Sequence, residues 1–178
     1  MGILNVTPDS FSDGGQFTSA QQAADYAIKM IHDGADIIDI GGESTRPGAK
    51  AVSLEEELKR VKPVIKAIRK QSDCLISIDT YKASVAETAL DLGADIVNDI
   101  SSLSFDQDMA NLISTRKVPI ILMHMQGSPQ DMQINPIYNN LINDLIHFFK
   151  SKIEIASKAG ILKNMIILDP GIGFGKEV

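Results

Sequence analysis

Gly34-Ala35-Asp36-Ile37-Ile38-Asp39-Ile40 and Gly93-Ala94-Asp95-Ile96-Val97-Asn98-Asp99 are near copies of one another. Each opens on a glycine suited to end a helix. Each then runs through a short isoleucine- or valine-rich stretch and carries polar side chains near its end. A junction used twice suits a fold that repeats one βα unit. Outward from these stretches the same alternation continues without a break. Strands are predicted at residues 2–6, 36–40, 75–78, 96–97 with their neighbours, 119–123 and 165–168. These runs are rich in Ile, Leu and Val and bounded by Gly, Pro or Asp, as strands buried on both faces are.

Helix-period stretches fill the intervals. Ala24, Ala27, Ile28 and Ile31 share one face ahead of Gly34. Ser53 and Glu56 form a capping box before Leu58, Val61, Ile65 and Ile68, with Pro63 predicting a kink. Val85, Ala89 and Leu92 lead to Gly93, and Met109, Leu112 and Ile113 make a short stripe. Leu141, Leu145, Phe148 and Phe149 belong to a long helix ending near Gly160. Strict βα alternation requires a parallel sheet with right-handed crossovers.

Two α/β architectures satisfy that rule, and the strand ends discriminate between them. Each run hands over to polar residues: Asn5, Asp39 and Glu43, Asp79, Asn98 and Asp99, His124, and Asp169. Taken singly, each reads equally well as a helix cap or turn former. A doubly wound sheet gathers its site at one switch point, whereas a barrel brings every C-terminal strand end to one mouth. Polar residues at all the strand ends favour a TIM (β/α)8 barrel. Such a barrel needs eight strands and about 250 residues. The expectation is therefore one domain over residues 1–178, truncated after about six parallel strands and incomplete at its C-terminus, with the last two βα repeats absent.

Composition narrows the class. With 17 basic and 23 acidic residues the net charge is −6, which argues against a nucleic-acid surface. A single cysteine, Cys74, excludes an internal disulfide framework and fits a reducing compartment. The start shows no basic-then-apolar leader, and no apolar run approaches the ~18 residues of a membrane helix. A cytoplasmic protein without membrane or nucleic-acid partners is expected.

The loop after the first run, Asn5-Val6-Thr7-Pro8-Asp9-Ser10-Phe11-Ser12-Asp13-Gly14-Gly15, is longer than the ~2–6 residues a βα connection requires. Glu43-Ser44-Thr45-Arg46-Pro47-Gly48-Ala49 follows the second run in the same way. Arg46 there suits a carboxylate or phosphate, and reads equally as a solvated surface arginine. Gly171-Ile172-Gly173-Phe174-Gly175-Lys176 has a superficial likeness to a phosphate cradle. Cys74 reads as a small core residue and His32 and His147 as helix-surface residues; a structural hydrogen bond suits His124. No His and carboxylate residues stand at metal-ligand spacing, so no structural metal is expected.

NVTPDSFSDGG, GGESTRPGA, SIDTYK, NDIS, LMHMQG and DPGIGFGK, in this order, resemble the dihydropteroate synthase family, whose fold is a TIM barrel. The resemblance runs over the whole chain, and its first two blocks are the most specific. It implies a transferase of folate biosynthesis, the target of sulfonamides. That enzyme condenses 6-hydroxymethyl-7,8-dihydropterin diphosphate with p-aminobenzoate, releasing diphosphate and 7,8-dihydropteroate. It implies further that Asp79, Asn98 and Asp169 line the pterin pocket, Asp169 accepting from the 2-amino group and the adjacent ring N–H. Asp79 would offset positive charge as the C–O bond to diphosphate breaks. Ile100 and Met123, which share the parity of these positions, would form apolar walls, though core residues show the same parity. Phe174 would close over the ring.

By the same resemblance, Asn5 binds Mg²⁺ or the diphosphate end. Phe11 packs on the aminobenzoate ring, Thr45 and Pro47 shape its slot, and Arg46 fixes loops or diphosphate. The family's further Lys, Arg and His from the last two strands have no counterparts here, which implies loss of most activity. A homodimer is expected of the full-length protein. Two other readings are a pterin-binding remnant without turnover and a folate-dependent methyltransferase domain.

Overall fold

The fold is seen in a computed structural model, which describes residues 1–7, 16–44, 51–127, 132 and 136–176. The strands are β1 (Gly2–Asn5), β2 (Ile37–Gly41), β3 (Leu75–Asp79), β4 (Ile96–Asp99), β5 (Ile120–Met123) and β6 (Ile166–Asp169). Between them lie α1 (Gln16–His32), α2 (Leu54–Arg69), α3 (Ala83–Asp91), α4 (Asp108–Arg116) and α5 (Leu141–Lys158). Every neighbouring pair is parallel, and the spatial order is β1-β2-β3-β4-β5-β6. A doubly wound sheet reverses its order at a switch point. This one never does, which is the winding of a (β/α) barrel wall.

The repeated junction is real and has a physical basis. Gly34 and Gly93 take φ of +105° and +104°, a region that costs glycine nothing. Behind each, the next amide reaches back five residues: Ala35 N–H to Met30 O at 2.9 Å, and Ala94 N–H to Ala89 O at 2.9 Å. These are Schellman closures, and they turn each helix directly into the following strand.

Alternate strand residues divide two environments. Leu4, Ile38, Ile40, Ile76, Ile78, Val97, Ile120 and Leu122 are buried in one core with Ala23, Ala24 and Ala27 of α1, Val61, Ile65 and Ile68 of α2, and Val85, Ala86 and Ala89 of α3. The small alanines let α1 and α3 approach the sheet closely. Pro63 sits inside α2, yet Leu54–Arg69 runs as one helix, so the predicted kink does not divide it. The first turn of α2 is capped by Ser53 Oγ, which accepts from Glu56 N–H at 3.2 Å. The Glu56 carboxylate accepts instead from Arg60 Nε at 3.1 Å. Arg69 then ties α2 to the next junction, donating to Gly93 O at 2.7 Å and to Asp95 Oδ2 at 2.6 Å.

Asp99, the last residue of β4, has the helix-side parity and organises the turn beyond it. Its carboxylate accepts from Ser101 N–H (2.8 Å), Ser101 Oγ (2.7 Å) and Leu103 N–H (2.7 Å). Burial pushes its pKa up, against the pull of these donors. The bonds hold Ser102 and Leu103 at φ of +52° and +64°, uncommon for residues with a Cβ. Asp99→Ala is expected to lose about 2–3 kcal/mol in urea denaturation, since it leaves donors unpaired around a strained turn. A loss below about 0.5 kcal/mol, the range of ordinary surface changes, would show that the turn holds itself.

Candidate active site

Register places the opposite face. Asn5, Gly41, Asp79 and Asn98 are successive Cα partners across β1 to β4, so they form one row. Below them Ile3, Asp39, Ser77 and Ile96 form a second row. Met123 and Asp169 pair one step above the level of Ile121 and Ile167, and Ile121 partners Asn98. Parallel partners point to the same side, and this side is the one turned away from the helix core. A concave wall therefore carries Asn5, Asp39, Ser77, Asp79, Asn98 and Asp169, with Ile121, Met123 and Ile100 buried on the β4–β5 side.

Gly41 supplies the first functional detail. A Cβ there would stand 3.3 Å from Asp79 Oδ2 and 3.5 Å from Asn5 Oδ1. The missing side chain leaves room in which these two oxygens converge. Next along the row, Asn98 Nδ2 donates to Asp39 Oδ2 at 3.0 Å. Asp39 Oδ1, Ser77 Oγ and Asn98 Oδ1 are buried without a protein partner.

The carboxylates crowd one another. Burial raises the pKa of Asp79 well above its ordinary value, with Asp39, Glu57, Asp99 and Glu43 adding like charge. Burial also raises Asp39, which feels Asp169, while the nearby Ser77 and Asn98 side chains pull it down. Acids held above their unfolded values bind protons more tightly when folded, so their contribution to stability is lost as pH rises from about 3.8 through the raised values. A ligand bringing N–H donors or positive charge relieves that crowding.

Asp169 Oδ1 accepts from Gly171 N–H at 2.8 Å, and His124 N–H donates to Asp169 O at 2.9 Å. The glycine-rich turn after β6 is closed by Phe174 N–H on Gly171 O at 3.0 Å. Lys176 fastens it, with Nζ donating to Gly171 O (2.8 Å), Phe174 O (3.0 Å) and His124 O (3.1 Å). Every carbonyl held by this lysine is backbone, so the turn is a cage around an ammonium group. Ile100 and Met123 line a small cavity of about 70 Å³ with Phe105 and Phe148.

The wall brings together Asn5, Asp79, Asn98, Ile100, Met123 and Asp169, and Phe174 sits half-buried in the adjoining turn. Phe11, Thr45, Arg46 and Pro47 lie outside the described residues. The cap-or-turn reading holds for Asp99 and in part for Asp169, which accepts from Gly171 N–H in its own turn, whereas Glu43 and His124 make other contacts. Asp99 anchors its turn, and Glu43 accepts from Tyr81 OH at 3.0 Å and pairs with Lys82. The His124 ring stacks edge-on against Phe148, 4.7 Å between centroids, and burial and Lys176 hold its pKa below the usual value.

Sequence reasoning overlooked Ser77 and Gly41, and left Asp39 without a role. The signal was there: Asp39 and Ser77 each interrupt an otherwise apolar strand two residues before its end. Among the described residues no group of three or more His, Cys, Asp or Glu side chains makes a ready metal cage.

The pterin binding enzyme family model matches residues 1–178. The chain is 53% identical to the dihydropteroate synthase of a Synechocystis strain over 176 residues, 99% of this chain and 61% of that one. Among solved structures it is similar to Yersinia pestis dihydropteroate synthase in a sulfonamide drug complex, with TM-score 0.91, 50% identity, and 99% and 64% of the two chains covered. It is similar as well to the Clostridium difficile dihydropteroate synthase solved in the presence of pteroic acid. There the TM-score is 0.91 and the identity 49%, with 99% and 65% covered. The chain thus spans a little under two thirds of the length of these proteins.

Proposed function

This chain belongs to the pterin-binding enzyme family, and on that premise we propose that it carries the pterin-binding wall of a dihydropteroate synthase. The observation that supports this most directly is the common face of Asp79, Asn98 and Asp169, flanked by buried Ile100 and Met123. Acceptors beside apolar walls suit a flat heterocycle whose edge is rich in N–H donors. Asp169 keeps one oxygen on Gly171 N–H and directs its carboxylate to the 2-amino group and neighbouring ring N–H. Asn98 Oδ1 takes a further donor. An analogue lacking one of these donors leaves a buried oxygen unpaired, the kind of mismatch that gives strong discrimination.

In the proposed reaction the C–O bond to diphosphate breaks, the p-aminobenzoate nitrogen bonds to that carbon, and the amine gives up a proton. Asp79 faces the charge that develops as diphosphate leaves and stabilises it electrostatically. Phe11, Thr45, Arg46 and Pro47 belong to the second substrate's side of the proposal, and Phe174 closes on the pterin. Mg²⁺ fits the site, because Asn5 Oδ1 and Asp79 Oδ2 are hard oxygen donors meeting in the gap that Gly41 leaves open. Asn5 would hold it, and the ion when bound supplies neutralising charge to the diphosphate oxygens. The same proposal includes one domain over residues 1–178, a cytoplasmic location, in keeping with the single free Cys74, and a homodimer of the full-length protein. No helix among the described residues is long and apolar enough to cross a membrane.

The test is diphosphate release from the pterin diphosphate with and without p-aminobenzoate. Asp79→Asn is expected to cut turnover by about 10²–10³ while 7,8-dihydropterin binding falls less. Binding with no aminobenzoate-dependent release would leave a pterin-binding protein that is not a synthase. No binding at all would overturn the whole reading.

A further inference from the structure

We propose that Asp39 is a positioning residue that sets the sense of the Asn98 amide, so that the wall presents an acceptor to its ligand at that point. The inference rests on the pterin reading for the ligand's identity, but its geometry stands apart from it. Asp39 is 3% exposed and Asn98 8% exposed, so neither turns to water for partners. An amide has a donor end and an acceptor end, and rotation by half a turn exchanges them. Asp39 Oδ2 accepts from Asn98 Nδ2 at 3.0 Å, which commits the donor end downward. The acceptor end, Oδ1, is then left buried with no protein partner. Asp39 belongs to the row below Asp79 and Asn98, beside Ser77, whose Oγ is also buried and unpartnered. The lower row is thus the support, and the upper row is the reading edge.

The consequence is a rule about ligands. With the amide held, a heterocycle offering an N–H toward Asn98 gains a hydrogen bond, and one offering a bare ring nitrogen meets acceptor against acceptor. Without Asp39 the amide is free to turn, and the second ligand is no longer refused. Asp39 itself touches neither ligand atom in this account; it acts through Asn98.

Two readouts test this in the intact protein. In ¹⁵N spectra without ligand, the Asn98 side-chain NH₂ pair, assigned by its disappearance in Asn98→Asp, is expected to be protected from exchange and to lose protection in Asp39→Ala. In titrations with 7,8-dihydropterin and a panel of pteridines each lacking one ring N–H, the intact site is expected to discriminate against at least one analogue by about 100-fold or more. That ratio is expected to fall below about tenfold in Asp39→Ala, and to fall to an intermediate value in Asp39→Asn, whose amide can either accept from Asn98 Nδ2 or donate to its Oδ1. Asp39→Ser serves if the alanine variant does not fold. Unchanged protection and an unchanged ratio in a folded variant would overturn the role of Asp39 while leaving pterin binding intact. Failure of the parent protein to bind any pteridine, with Asn98 protected, would instead remove the functional reading and leave the amide geometry standing.

Discussion

Lys82→Met is expected to destabilise the protein by about 3–5 kcal/mol, because it strands the buried Glu57 carboxylate and leaves the part-buried Glu43 beside it unpaired. Lys82 Nζ pairs with Glu43 and, at 2.5 Å, with Glu57 Oε2. Glu57 is 1% exposed, and its other oxygen accepts from Thr80 Oγ1 at 2.7 Å. Thr80 Oγ1 accepts in turn from Lys82 N–H at 3.2 Å, and Tyr81 OH donates to Glu43. The network joins the end of β2, the first turn of α2 and the segment between β3 and α3, directly behind Asp79. Removing the cation removes the favourable half of an arrangement whose desolvation cost remains. Burial alone would lower the Lys82 pKa, but Glu43 and Glu57 override it and leave it raised. A raised lysine contributes stability that is fully present below about 10.5 and disappears as pH rises through the folded value. The deficit of Lys82→Met in urea denaturation should accordingly be largest near neutrality and shrink in strong alkali. A deficit under 1 kcal/mol at pH 7 would show that the two glutamates find other partners.

Gly171→Ala should be comparably severe, with about 4 kcal/mol lost and pterin affinity about 100-fold lower. Gly171 has φ +65°, and a Cβ there would lie 2.1 Å from His124 O and 3.1 Å from Met123 Cγ. The obstacle at 2.1 Å is backbone of the segment leaving β5, so relief requires the turn to move. That turn holds Asp169 by the Gly171 N–H and is itself held by Lys176. Gly173 provides the control. Its φ is +88°, but a Cβ there meets nothing within 4 Å. Gly173→Ala should therefore cost only the backbone strain, about 1–2 kcal/mol. Equal losses at the two glycines would show that conformation, not the close approach, sets the cost.

The wall itself was legible because its residues break a pattern. A parallel strand buried on both faces reads as unbroken Ile, Leu and Val, so Asp79, Asn98 and Asp169 at run ends stand out. The Glu57–Lys82 network was not legible. Glu57 stands in the run Glu55-Glu56-Glu57, which has the composition of a solvated first turn. Only its spacing of four from Val61 puts it on the buried face. Asp99 and Asn98 are adjacent and chemically alike, yet one faces the helices and the other the concave wall, a difference that depends on which parity the sheet turns inward.

What the sequence determined by itself is the repeat: glycine-closed helices, short apolar strands and their order, all encoded in local backbone chemistry and side-chain period. The direction each polar residue faces, and whether it serves a turn, a buried ion pair or the concave wall, was decided only when the strands paired. Register adds across strands, and no single segment contains it. Lys82 between Glu43 and Glu57, and Asp39 beneath Asn98, are contacts between residues 25 to 59 positions apart, created by the parallel winding of the sheet.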